Sequence, residues 1–166
     1  HLDSRDRWYC MQSIRCSVIQ IDADLKQCAC LLPQDLKVAC TRGSLFISGP
    51  CITSGYSGLE LHRKFPPPYF SVIRAVSGSG MTLDAVDIDG NGTPDYRAGL
   101  GVITDSGPAV ISNGYSRGSL TVTISTPLSA KSGMRVVPSV HYELRGDGLY
   151  RNSQLLAESI SAFEAR

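Results

Sequence analysis

Apolar residues recur at spacings of three and four along the N-terminal part of the chain. Met11, Ile14, Val18, Ile21, Leu25, Cys28 and Leu32 fall on one stripe, extended towards the N-terminus by Trp8. Arg5, Asp6, Arg7, Arg15, Asp22, Asp24 and Lys26 fall mostly off it. That period is helical, so the pattern predicts one amphipathic helix over residues 3–32, ended by Pro33. From about residue 36 the period changes. Runs at 36–40, 44–48, 70–76, 109–112, 119–125, 134–144 and 148–151 are short and apolar or β-branched, and clusters of Gly, Ser, Asn and Pro separate them. They predict strands. Alternation is strict in Leu120-Thr121-Val122-Thr123-Ile124, which puts one face in a core and one in water. Arg145-Gly146-Asp147-Gly148 reads as a hairpin turn, and Pro66-Pro67-Pro68 as a loop. Neither βαβ alternation nor an internal repeat is visible. The expected architecture is a single α+β domain over residues 1–166. In it a long N-terminal amphipathic helix (1–32) packs on an antiparallel sheet within a β-rich part (33–166) that carries loop insertions and disulfides.

Composition narrows the class. Hydrophobic residues at 42% allow a real core, while 19% charged residues with 16 Gly and 9 Pro suit a β-rich extracellular protein. Lys plus Arg is 16 against 15 for Asp plus Glu, a balance that argues against a nucleic-acid partner. No apolar run reaches the length of a membrane span. The chain begins with His1 rather than Met, which predicts a processed or engineered end. Cys10, Cys16, Cys28, Cys30, Cys40 and Cys51 form an even set confined to the first third of the chain. Such a set predicts a disulfide framework in an oxidising compartment, with the pairing open. Cys28 and Cys30 are too close to bridge each other without strain. Zinc knuckles and a redox C-x-x-C are both absent.

The densest chemical motif is Asp87-Ile88-Asp89-Gly90-Asn91-Gly92-Thr93-Pro94-Asp95. Counted from Asp87, oxygen-bearing side chains stand at positions 1, 3, 5 and 9, Gly92 at the sharp-turn position 6 and Thr93 at the carbonyl position 7. Clustered carboxylates without a base repel unless a cation sits among them. The pattern predicts one Ca²⁺ held by Asp87, Asp89, Asn91, the Thr93 carbonyl and Asp95, in a calcium loop near residues 84–98. Ala98 stands where an EF-hand has its bidentate Glu, so a further ligand is expected from Asp84, Asp105 or water. Other motifs carry less. Gly114-Tyr115-Ser116-Arg117-Gly118 fits a nucleophile elbow, but a strand rather than a helix follows it. His62 and His141 lie in no triad or metal spacing, and His141 sits inside a strand pattern. Arg145-Gly146-Asp147 is explained by its hairpin, and Asn91 in Asn91-Gly92-Thr93 by the calcium loop. No nucleophile, base and orienting group converge, so no enzymatic activity is expected.

The C-terminal run is Val140-His141-Tyr142-Glu143-Leu144, then Gly148-Leu149-Tyr150-Arg151-Asn152, then Leu155-Leu156-Ala157-Glu158-Ser159-Ile160 and Phe163. It resembles the ending of PilW-type minor pilins of type IV pili and of the related J-type pseudopilins of type II secretion. Ile19-Gln20-Ile21-Asp22-Ala23-Asp24-Leu25 is similar to the family's helix segment ahead of its first loop. The resemblance covers about the first 30 and last 40 residues. It implies a pilin-like fold and a structural, non-catalytic subunit that helps initiate or cap a pilus-like filament. The implied partners are other pilin or pseudopilin subunits, in the periplasm or at the cell surface. The family's leader, its Glu near the mature N-terminus and its apolar half-helix are not in this chain. The resemblance therefore implies a soluble, weakly associating part, anchored in the inner membrane only through that half-helix in a full-length form. The alternative reading is a secreted calcium-dependent adhesion or binding module, which needs no such helix.

Overall fold

The computed structural model describes residues 18–23, 25, 34–48, 70–86, 95–113, 120–125 and 131–158. Ten strands run through them: β1 (Val38–Thr41), β2 (Ser44–Ser48), β3 (Ser71–Ser77), β4 (Gly80–Leu83), β5 (Gly101–Thr104), β6 (Gly107–Asn113), β7 (Thr121–Ile124), β8 (Arg135–Arg145), β9 (Gly148–Arg151) and β10 (Gln154–Ala157). Every pairing is antiparallel. Seven coincide with the runs read from the sequence. β4, β5 and β10 were not expected. Each is four residues long.

The pairings close a circuit. β8 pairs β3, β3 pairs β4, β4 pairs β7, β7 pairs β6, β6 pairs β5, and β5 returns to β8. The result is a six-stranded barrel, which removes its own sheet edges. Its interior is filled by Ile73, Met81, Leu83, Val86, Tyr96, Val102, Ala109, Ile111, Val122, Ile124 and Val136. In β7 the strict alternation does what it predicts: Val122 and Ile124 point into the barrel, and Thr121 is exposed.

β8 is longer than the barrel needs, and its second half builds another sheet. Val136 to Ser139 pair with β5, while Ser139 to Glu143 pair with β2 and Tyr142 to Arg145 with β9. β1 extends this sheet beyond β2, and β10 beyond β9. Pro138 sits where the two bodies part. On one side β3 pairs only up to Val136 and β2 begins at Ser139. A residue without an N–H is tolerated in a central strand at such a gap.

The α+β expectation is corrected here. Strands make up 59% of the described residues, and the helix is short. Among them only residues 18–23 and 25 are α-helical. Of the stripe that was to face a sheet, Val18, Ile21 and Leu25 are among the described residues, and two of these are turned outwards: Val18 is 59% and Leu25 43% exposed. The physical reason lies in the barrel. Among the described residues its eleven interior positions come from strands and from Val86 and Tyr96, none from the helical residues. At about 1.5–3 kcal/mol for each large apolar side chain removed from water, that interior sustains itself without a covering helix.

Candidate functional site

The acidic loop springs from the end of β4 and returns just before β5. Its two ends are fastened together by the Asp95 N–H, which donates to the Val86 carbonyl at 2.8 Å. Val86 and Tyr96 both insert into the barrel interior. The Tyr96 side chain is fully buried, and its hydroxyl donates to Ser71 Oγ at 2.8 Å, with the Val136 carbonyl 3.1 Å away. The Ser71 hydroxyl in turn donates to the Ala85 carbonyl at 2.7 Å. This relay satisfies a buried phenol and ties the loop's entry to the starts of β3 and β8. Sequence reasoning singled out neither Tyr96 nor Ser71. The signal was a large aromatic directly after the last of the expected ligands, Asp95.

Of the five expected calcium ligands, Asp87, Asp89, Asn91 and Thr93 lie outside the described residues. Asp95 is buried at the closed neck. Among the described residues no three His, Cys, Asp or Glu side chains gather into a metal site. The two supplementary ligands are engaged elsewhere. Asp84 Oδ1 accepts from the Val72 N–H at 2.8 Å, and its other oxygen faces Arg74 at 3.8 Å. Asp105 is held by Arg135.

Arg135 opens β8 and binds two carboxylates. Nε and Nη2 reach Asp105, the latter at 2.6 Å, while Nη2 also reaches Asp35 at 2.7 Å. The guanidinium lies 5.9 Å from the centre of the Phe70 ring. The side-chain hydrogen bond from Arg135 holds the Asp105 carboxyl below its usual range, although partial burial works against it. Asp35 belongs to a 3-10 turn (Gln34–Leu36) whose Leu36 is fully buried. The clamp therefore fastens the segment entering β1 to the β5–β6 turn.

On the second sheet, Leu45, Ile47, Val140 and Tyr142 form a separate apolar cluster. Ile21 from the helical residues and Leu156 from β10 pack against it. Of the six cysteines, Cys40 lies on β1, exposed and with a free thiol, while Cys10, Cys16, Cys28, Cys30 and Cys51 lie outside the described residues. The Gly114–Gly118 motif and His62 also lie outside them. Arg145 pairs with Glu143 at 3.1 Å and covers the Tyr150 ring, so the Arg-Gly-Asp turn is used structurally. No helix among the described residues is long and apolar enough to cross a membrane.

Comparison with protein-family models, with curated proteins and with solved structures finds no match to this chain.

Proposed function

We propose that this chain is a structural, non-catalytic subunit of a type IV pilus-like filament, a minor pilin or a related pseudopilin, working with other pilin-like subunits in the periplasm or at the cell surface. One observation carries the reading. The two segments whose sequences resemble that family, the helical residues around Ile21 and the run from Val140 to Ala157, are far apart in the chain, yet they pack together through Ile21, Val140, Tyr142 and Leu156. The run itself is a continuous meander of β8, β9 and β10. With this role goes a structural Ca²⁺ in the loop closed by Val86 and Asp95, held by Asp87, Asp89, Asn91, the Thr93 carbonyl and Asp95.

The test is made in the source cell. A tagged copy should appear in sheared filament fractions and crosslink to pilin-like subunits, and deletion should reduce surface filaments or filament-dependent secretion. Ile21→Asp, which touches the junction and not the barrel interior, should lower incorporation. Intact filaments after deletion, with the tagged chain in no crosslink to a pilin-like subunit, would reject the proposal in favour of a free adhesion module.

A further inference from the structure

The face of β8 opposite the Ile21 cluster carries an unusual concentration of unpaired polar atoms. His141 is 3% and Ser139 0% exposed, and they stand two residues apart on one strand face. Ser139 Oγ and His141 Nδ1 are the two buried side-chain polar atoms without a hydrogen-bond partner among the described residues. Native proteins leave few such atoms, and each calls for an explanation. A hydroxyl beside an imidazole suggests a nucleophile and base, but neither atom bonds the other and both are sealed from solvent.

The backbone around His141 is, by contrast, fully engaged. Its N–H donates to Asn152 Oδ1 at 2.9 Å, and its carbonyl accepts from the Asn152 N–H at 2.8 Å. Across the sheet it stands opposite Phe46 of β2, and the two rings stack with centroids 4.5 Å apart at 20°. His141 therefore sits where β2, β8 and the β9–β10 turn meet. None of the neighbouring groups is within hydrogen-bonding geometry of Nδ1. β2 contributes Ser44, Phe46 and Ser48 on this face, β5 contributes Gly101, and β9 with its turn contributes Tyr150 and Asn152. On β8 itself the charged neighbours are Glu143 and Arg145, which pair with each other.

We propose that His141 is a proton-operated release at this junction. Taking up a proton places an imidazolium, one N–H of which has no acceptor, against the face of Phe46, and so loosens β2, the second half of β8 and β9 while the barrel stays closed. Attraction between the cation and the ring is the one favourable contribution, and loss of water around an unpaired charge outweighs it. Leu45, Ile47, Val140 and Tyr142 lie on the opposite face of these same strands, so the loosening also frees Ile21 and the helical residues from their seat. Burial already holds the imidazole below its ordinary value of 6.5, with Arg145 adding to the effect and Glu143 opposing it. The sign follows. The loosened state binds the proton better, so the junction is fully stable above about pH 6.5 and weakens as pH falls below it.

The experiment follows the imidazole resonances of the 166-residue chain from pH 8 to pH 4.5, with His141 assigned by its loss in His141→Phe. In parallel, amide exchange is compared across the same range, corrected for intrinsic rates. His141 should titrate below 6.5. Protection in β2, residues 140–145 and β9 should fall by up to about tenfold per pH unit, the slope of one proton, while β4 and β7 keep theirs. His141→Phe should abolish the difference; if that variant does not fold, exchange in the parent chain decides. Titration at or above 6.5, or protection lost equally in barrel and junction, or not lost at all, overturns the proposal.

Discussion

At the turn between β9 and β10, Asn152 and Ser153 both have positive φ, 50° and 71°. Two positive central residues make the type I′ geometry that suits a right-twisted hairpin. Asn tolerates that region, and here its side chain also caps His141. Ser153 has no such compensation, so it holds local strain. Ser153→Gly should raise stability by about 0.5–1 kcal/mol, seen as a higher urea midpoint with an unchanged slope. A lower midpoint would mean that the Ser153 hydroxyl has an energetic role. Gly101 is the opposite case. A Cβ there would stand 2.5 Å from Ser139 Oγ and 2.6 Å from Phe46 Cδ1. Gly101→Ala must therefore push the Phe46 ring off His141 or bend β5, and should cost about 1–3 kcal/mol. Thermal unfolding measures it, and an unchanged midpoint would show that the ring has room to move.

Between elements, two polar devices align the barrel with what enters it, and they differ in worth. The Tyr96–Ser71–Ala85 relay is buried, so breaking it exposes unmet groups. Tyr96→Phe should cost about 1–2 kcal/mol and increase amide exchange at Ser71 and Asp95, whereas wild-type exchange there would make the hydroxyl dispensable. The Asp35–Arg135–Asp105 clamp is partly solvated, with Asp35 64% exposed, and pairs of that kind contribute about 0–1 kcal/mol. It still has a signature in pH. The Asp105 carboxyl is held below its ordinary value of 3.8 by Arg135. Its contribution is therefore complete above about pH 4 and is lost as pH falls through the lower, folded value. Asp105→Asn should remove that acid-side loss below about pH 4 in urea titrations and leave the neutral-side slope alone. Parallel curves for variant and parent throughout would show that Asp105 does not carry it.

For the molecule as a whole, β8 divides the labour. Its first half closes a barrel and its second half carries a sheet, so a disturbance on one side need not cross to the other. Val86 and Asp95, the residues on either side of the acidic segment, are joined by a backbone hydrogen bond, so the effect of the proposed ion is expected to stay local. The proposed Ca²⁺, at a hundredfold excess over its Kd, would add about 2.7 kcal/mol to the folded form. Asp89→Ala should abolish the calorimetric signal and raise proteolysis near residue 90, with exchange in β3 to β8 unchanged. Absence of heat and of any melting shift at millimolar Ca²⁺ in the parent chain would remove the metal from the account.

Local pattern alone located seven of the ten strands and the hairpin turn between β8 and β9. Alternation in 121–124, the long run through 135–145 and the glycine at Gly146 are all read from neighbours in sequence. The ligand spacing of the acidic loop is likewise a property of nine consecutive residues, but Asp87, Asp89, Asn91 and Thr93 lie outside the described residues. Only the tertiary structure decided that β8 pairs β5 on one side and both β3 and β2 on the other, since a period of two fixes which face is apolar but not which strand lies alongside. That closure supplies the interior, and it changes the meaning of the N-terminal stripe. Val18 and Leu25 carry the same apolar signal as Ile21, yet only Ile21 meets a cluster, because burial depends on a partner surface that helical spacing does not encode. The unpaired imbalance at His141 was invisible for the same reason. It arises where Phe46, Gly101 and Asn152, distant in the chain, converge on one residue.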